Sequence, residues 1–207
     1  MPSPLGHTLA GLAVGWCATD WSVESRASRW SPFVIGCAFA AAAPDLDLLY
    51  PPIHRLFTHS VGVTLVVIII AGAVTRQVTG RVNWRIVLAL AAAHASHVVL
   101  DWMGTDRFPP AGIQALWPFS HQFYLSGWDI FPNVERRLWR PDAFAVNLHA
   151  ALMEVVIVGP VAVLSWVATR TRRSRAPTSG QAGRQPPSVA AVDTDGTWDR
   201  PGPRAGR

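Results

Sequence analysis

Apolar residues form five runs in this chain, and polar residues collect between them. The runs cover residues of about 7–19, 32–43, 60–75, 85–103 and 144–169. Their length and spacing predict α-helices, and the last two approach the ~20 residues that cross a bilayer. The pattern predicts an all-α, membrane-embedded bundle of about five helices. A soluble helical protein with unusually apolar helices is the alternative.

Two long segments lie outside the predicted helices. Residues 104–143 contain prolines and tryptophans and predict a long loop between the fourth and fifth helices, capping one end of the bundle. Residues 174–207 are rich in Pro, Gly, Ser and Ala without apolar periodicity, which is typical of a disordered tail. We therefore expect a helical domain over residues 1–173 and a tail over 174–207.

The composition also favours a membrane protein. Of 207 residues, 50% are hydrophobic and 15% are charged, against roughly 25% charged in soluble domains. The net charge of +5 is carried by arginine, and several arginines follow the last apolar run. We therefore expect an anionic membrane surface as a partner, and no nucleic acid. The arginines between helices favour five crossings with the N-terminus outside.

The fourth apolar run carries three ionisable residues on one helical face. His94, His97 and Asp101 are spaced i, i+3 and i+7, which places them in one narrow arc. Such groups are costly in an apolar helix unless they are paired or coordinated. Two imidazoles and a carboxylate suit half of a metal site. A hydrogen-bonded pair inside the bundle is the alternative.

The stretch "PDLDLLYPPIHRLFTHS", residues 44–60, adds more such groups. We expect Pro44 to end the second helix, Asp45 and Asp47 to follow in a turn, and Thr58 or Ser60 to cap the third helix. In antiparallel packing these side chains would face the end of the fourth helix, near the N-terminal histidine.

The resulting set of oxygen and nitrogen ligands suits zinc or manganese, with enough groups for one or two ions. The candidates outside the fourth helix are His7, Asp45, Asp47, His54 and His59. Some would orient ligating imidazoles rather than bind the ion. A hydrogen-bond network without metal is the alternative.

Four motifs together give a resemblance to a known family. "PSPLGH", "PDLD", "HRLFTHS" and "SHVVLDWMGTDRFPPAGIQALWP" resemble the YdjM-like family of inner-membrane-associated metal-dependent hydrolases. The resemblance covers residues of about 1–165. The family is in turn distantly similar to zinc-dependent phospholipase C and the P1-type nucleases, which are helical enzymes with His and Asp ligands around a zinc cluster.

The resemblance implies a set of metal ligands. His7 matches the early histidine, Asp45 or Asp47 the first aspartate, and His59 or His54 the next histidine. His97 and Asp101 match the H-x-x-x-D pair, whose aspartate would bridge two ions. We take the metal ligands as His7, Asp45, His59, His97 and Asp101, and we assign Asp47, His54 and Arg55 to catalysis.

The chain also departs from the phospholipase pattern. His149 and Glu154 are five residues apart, about 140° round a helix, so a third metal site is not expected. His121 is a late ligand, an acid near the leaving group, or a plain loop histidine. Glu154 needs a partner inside its apolar helix, which we expect to be Arg55 or a hydroxyl of the bundle.

These residues predict a metal-dependent hydrolase of the bacterial inner membrane, with its site on the non-cytoplasmic side. The expected substrate is a small-molecule or lipid phosphoester, because paired divalent ions stabilise phosphoryl transfer. Arg55 would hold a phosphate in a bidentate fork, or would pair with Asp45 or Asp47. A metal or proton translocator and a non-catalytic metal-binding scaffold are the alternatives.

Overall fold

The computed structural model describes residues 1–19, 30–50 and 54–175, with side chains described to residue 169. This part of the chain contains five α-helices and no extended strand, which confirms the all-α prediction. The helices are α1 (Pro4–Ala18), α2 (Pro32–Ala42), α3 (Val61–Thr79), α4 (Trp84–Met103) and α5 (Ala143–Arg175). Two 3-10 segments, Ala43–Leu49 and Phe57–His59, lie between α2 and α3.

Helix α1 is the centre of the bundle and packs against α2, α4 and α5. It begins at the N-cap Ser3, whose hydroxyl accepts a hydrogen bond from the Leu5 amide, with Pro4 in the first turn. Gly11 permits the close approach of α2, because a Cβ there would lie 2.5 Å from the Cys37 carbonyl oxygen. This approach places the first turn of α1 beside the C-terminal end of α2.

The chain does not turn sharply after α2. Pro44 was expected to end that helix, and α2 does end just before it, at Ala42. Asp45 and Asp47 were expected in a turn. Instead the backbone tightens into the 3-10 segment Ala43–Leu49, which carries Pro44 and both aspartates. Proline fits this position because the first turn of a helix needs no amide hydrogen there. The tighter winding keeps both carboxylates at the end of α2, beside α4.

Helices α3 and α4 form an antiparallel pair. Of the two expected capping residues, Ser60 caps α3, because its hydroxyl accepts a hydrogen bond from the Val63 amide. At the other end Gly80 adopts the left-handed conformation with φ 76°, which ends α3 before α4 begins at its N-cap Asn83. The pair therefore has defined ends at both sides of the bundle.

The long loop predicted between the fourth and fifth helices is present over residues 104–142. A backbone hydrogen bond from the Val61 amide to the Ala115 carbonyl joins the loop to α3. Within the loop, the Thr105 amide donates to the Phe131 carbonyl. An isolated bridge between Ile113 and Tyr124 folds the loop back on itself. The loop therefore lies over the ends of α3 and α4.

Within the described ranges, four segments are long and apolar enough to cross a membrane, namely Pro32–Leu49, Val61–Thr79, Trp84–Met103 and Ala143–Thr169. Helix α1, at 15 residues, is not among them, so four of the five predicted crossings have the length and composition of a span. Helix α5 continues past the predicted boundary at residue 173 to Arg175. The remainder of the predicted tail lies outside the described residues.

Candidate metal centre

Histidine and aspartate side chains from distant parts of the chain meet where the first turn of α1 lies beside the C-terminal end of α4 and residues 43–59. They are His7, Asp45, Asp47, His54, His59, His97 and Asp101, which we call the His/Asp cluster. All predicted metal ligands belong to it, as do two of the three predicted catalytic residues. The cluster is buried: His7, His59 and His97 are inaccessible, and the Asp45 side chain is 11% exposed.

Asp101 divides its two carboxylate oxygens between two groups of histidines. Its Oδ2 lies 3.3 Å from Nε2 of His59 and 3.3 Å from Nε2 of His97, one helical turn before it on α4. Its Oδ1 lies 3.4 Å from Nε2 of His7. One carboxylate therefore faces two separate positions.

The two carboxylate oxygens of Asp45, in the 3-10 segment Ala43–Leu49, are divided between the same histidines. Its Oδ1 lies 3.8 Å from Nε2 of His59 and 3.9 Å from Nε2 of His97, while its Oδ2 lies 3.9 Å from Nε2 of His7. One oxygen of each aspartate thus faces His59 and His97, and the other faces His7. The stacked rings of His7 and His97, with centroids 3.7 Å apart, keep the two positions adjacent.

The atoms that face these positions have the properties of metal ligands. Ligands bound at ~2.0–2.1 Å in a tetrahedral site stand roughly 3.3 Å apart, close to the shorter separations here. Nε2 of the three inaccessible histidines and both oxygens of Asp101 are buried without a hydrogen-bond partner among the described residues. Because buried polar atoms are normally satisfied, these orphaned atoms fit a divalent cation. These imidazole and carboxylate groups could hold a metal ion.

Asp47 faces the other nitrogen of two histidines. Its Oδ1 hydrogen-bonds to Nδ1 of His54, and its Oδ2 lies 3.4 Å from Nδ1 of His59 and accepts a hydrogen bond of 2.5 Å from Thr58. His97 is held in the same way, since its Nδ1 donates to the Ala41 carbonyl at 2.7 Å. These bonds turn each Nε2 inward. The geometry favours Asp45 as a ligand and Asp47 as the residue that orients the imidazoles.

The charge balance of the cluster is also compatible with a bound cation. Burial lowers the pKa of His59, but contacts with Asp45, Asp47 and Asp101 outweigh burial and raise it to about 9. The carboxylates thus favour the protonated form of this buried imidazole. A divalent cation would replace that proton, because metal binding requires the neutral imidazole.

Arg55 lies at the edge of the cluster with its backbone at φ 69°, a conformation that non-glycine residues rarely adopt. Its guanidinium pairs with Asp106 and donates to the Phe108 carbonyl at 3.2 Å. The partner is therefore neither Asp45 nor Asp47, although the Arg55 amide donates to Asp47 at 3.3 Å. Its Nε is buried without a partner among the described residues.

The other ionisable residues considered from the sequence lie apart from the cluster. Nδ1 of His94 hydrogen-bonds to Thr64 at 2.9 Å, and its Nε2 is buried without a partner among the described residues. His121 and His149 are exposed. Glu154 meets a hydroxyl of the bundle, as one of the two expectations had it: it accepts hydrogen bonds from the Ser3 hydroxyl and amide.

Three supporting contacts of the site were not identified from the sequence, where Thr58 was considered only as a helix cap. Asp106, Thr58 and the Ala41 carbonyl each bind a side chain of the site or its edge. Asp106 stands in the quoted motif "GTDRFPP", which was the one available signal. A backbone carbonyl carries no sequence signal, because any residue at position 41 supplies the same oxygen.

The comparison with protein families supports a membrane protein. The family model described as "YdjM inner membrane protein" matches residues 1–174, which include all the residues of the cluster. No curated protein and no solved structure matches the chain. The relationship to zinc-dependent phospholipase C and P1-type nucleases stays a prediction. The match over most of its length shows that the chain belongs to the YdjM inner membrane protein family.

Proposed function

We propose that this protein is a membrane-embedded, metal-dependent hydrolase of a phosphoester. The observation that carries the proposal is the division of Asp45 and Asp101, each with one oxygen toward His7 and the other toward His59 and His97. Two adjacent positions that share carboxylates suit phosphoryl transfer, where charge develops on several oxygens. Divalent ions there, zinc or manganese, would supply Lewis-acid activation of water and of the phosphoryl group.

His54 and Asp47 form the proton-handling pair in this proposal. The Asp47 carboxylate holds Nδ1 of His54, which leaves Nε2 as the atom that accepts or returns a proton. Nε2 is buried and has no hydrogen-bond partner among the described residues, so it is available to a substrate or a water molecule. An aspartate in this position fixes the tautomer and stabilises the protonated ring.

The phosphate would enter from the side of Asp45, the most accessible side chain among the predicted metal ligands. Arg55 supports the anion at this edge, with Asp106 holding its guanidinium in place. Leu49 and Tyr50 lie nearby in the chain and are 86% and 61% exposed, so a lipid substrate could be received at the same edge. The site would then face the non-cytoplasmic surface of the inner membrane.

The test compares wild type with Asp101→Asn, in purified full-length protein supplied with zinc or manganese. Phosphomonoester, phosphodiester and phospholipid substrates are assayed in parallel. We expect turnover by wild type and a loss of at least about 100-fold in the variant, because the amide removes a shared ligand. Asp142→Asn is the control, since that aspartate is exposed and pairs with Arg140 outside the cluster. Equal turnover in both variants would contradict the proposal.

A metal or proton translocator is the second candidate, favoured by His94. This buried residue lies about one turn before His97 in α4, with Nε2 unsatisfied among the described residues. The sequence between Arg85 and His94 has no ionisable residue, and neither has α3 before Arg76. A conduction path needs ionisable or ion-binding residues across the whole membrane, so we rank hydrolysis first. Metal uptake into proteoliposomes separates the two functions.

A further inference from the structure

Two arginines of the 104–142 loop stack on the same aromatic ring beside the cluster. The guanidinium carbons of Arg136 and Arg137 lie 5.8 Å and 5.6 Å from the centroid of the Phe108 ring. Arg137 is occupied, because it donates two hydrogen bonds of 2.9 Å to Glu135. Arg136 has no acidic partner within 4 Å among the described residues, and its one polar contact is the Met1 sulfur at 3.9 Å.

A series of contacts places Arg136 beside the cluster: it lies over the Phe108 ring, the Phe108 carbonyl accepts from Arg55, and the Arg55 amide donates to Asp47. Burial and the neighbouring Arg55 lower the pKa of Arg136, while Asp106, Asp101 and Asp45 raise it. The charges of Asp45 and Asp101 thus act on the Arg136 guanidinium, although no ion pair joins it to either aspartate. Residue 136 is exposed to solvent, so an anion in solution can reach its guanidinium.

Phe108 connects Arg136 to Arg55. The Phe108 carbonyl accepts a hydrogen bond from Arg55, and its ring carries Arg136. The Arg55 charge is balanced by Asp106, so Arg136 is the one of this pair whose charge has no carboxylate partner among the described residues. Stacking on an aromatic ring holds a guanidinium in place while leaving its N–H groups available.

We propose that Arg136 binds the terminal phosphate of an anionic substrate at the mouth of the His/Asp cluster. This inference rests on the proposed function and names its substrate class as a phosphomonoester. Two divalent ions would outweigh the charges of Asp45, Asp47 and Asp101, and Arg136 adds a further positive charge. A dianionic terminal phosphate neutralises such a site better than a singly charged diester. The planar guanidinium binds two phosphate oxygens at once.

Arg107 supplies a matched control, because it lies in the same loop and is exposed. Inorganic phosphate is titrated by calorimetry into zinc-loaded full-length protein and into Arg136→Gln, Arg136→Lys and Arg107→Gln. We expect Arg136→Gln to weaken phosphate binding about tenfold or more, through loss of charge-assisted hydrogen bonds. Arg136→Lys should recover part of the loss, and Arg107→Gln should stay within about twofold of wild type, because salt screens distant charges.

Zinc content and melting temperature are measured for each variant, so that loss of folding is not mistaken for loss of binding. If Arg136→Gln is poorly folded, the comparison of Arg136→Lys with Arg107→Gln decides the question. Unchanged phosphate affinity in the Arg136 variants, or an equal loss in Arg107→Gln, would overturn the inference. Phosphate binding that depends on Arg136 without any hydrolysis would support this site while contradicting the proposed activity.

Discussion

At the scale of single residues, the positions of the aspartates determine what each one can do. Asp45 and Asp101 face the Nε2 atoms of His7, His59 and His97, whereas Asp47 faces Nδ1 atoms. Carboxylates of equal chemistry thus serve different purposes because of the imidazole nitrogen they approach. Ligand and orienting residues can be separated on this ground, which spacing alone left open between Asp45 and Asp47.

The two positions of the cluster can be tested separately through His7. Only one oxygen of each shared aspartate lies toward His7, so His7→Ala should empty that position and leave the one at His59 and His97. We expect two zinc ions per wild-type chain and one in His7→Ala, by elemental analysis of protein purified without chelators. His149→Ala, at an exposed position, is the control. Equal zinc content in His7→Ala and wild type would refute the two-position arrangement.

At the scale of helices, hydrogen bonds to the buried carboxylate of Glu154 link the start of α1 to α5. Glu154 accepts hydrogen bonds from the amide and hydroxyl of Ser3 and from the Gly6 amide at 2.9 Å. These groups lie at the start of α1, where helical amides have no partner within the helix. Glu154 therefore satisfies the beginning of the helix that carries His7. A residue from the far end of the chain thus helps to position a predicted ligand near the start.

Glu154→Ala should therefore weaken both the fold and the metal centre. The substitution leaves buried donors of Ser3 and Gly6 without an acceptor, so we expect the free energy of unfolding to fall by about 1–3 kcal/mol. Zinc affinity should fall with it, because His7 is carried by the same turn. Thermal unfolding and zinc titration measure the two effects. Val155→Ala, at an exposed position on α5, should change neither by a comparable amount.

At the scale of the whole molecule, the cluster joins elements that the chain keeps far apart. Its residues come from α1, from the segment between α2 and α3, and from α4, and all converge under the 104–142 loop. Several buried carboxylates without a cation would repel one another and lack solvation. The bound ion should therefore stabilise the assembled bundle as well as support chemistry.

Chelation should accordingly lower the melting temperature of the purified protein. A metal present at ~100 times its dissociation constant contributes about 2.7 kcal/mol, and each kcal/mol shifts the midpoint of such a chain by roughly 2–4 °C. We expect EDTA to lower the melting temperature of wild type by about 5–10 °C, and to have little effect on Asp101→Asn. Identical melting curves of wild type with and without EDTA would argue against a resident metal.

The helical architecture could be predicted from the sequence, because apolar runs and capping residues determine helices locally. The α3 helix follows from its apolar run and the Ser60 cap, and the α4 face with His97 and Asp101 follows from helical geometry. The 3-10 winding at Ala43–Leu49 was missed, because proline there permits either a turn or a new helical start. The length of α5 was underestimated, because the apolar run ends before its charged last turns do.

The sequence by itself determined which chemistry was present: apolar helices that carry histidines and aspartates at ligand spacing, next to a long loop of polar and aromatic residues over 104–142. Only the tertiary structure decided which nitrogen each carboxylate meets, that Asp106 holds Arg55, and that Arg136 is left without a carboxylate partner among the described residues. The physical reason is distance along the chain. Helix periodicity acts over a few residues, whereas the direction of a side chain at a shared site depends on the packing of every element around it.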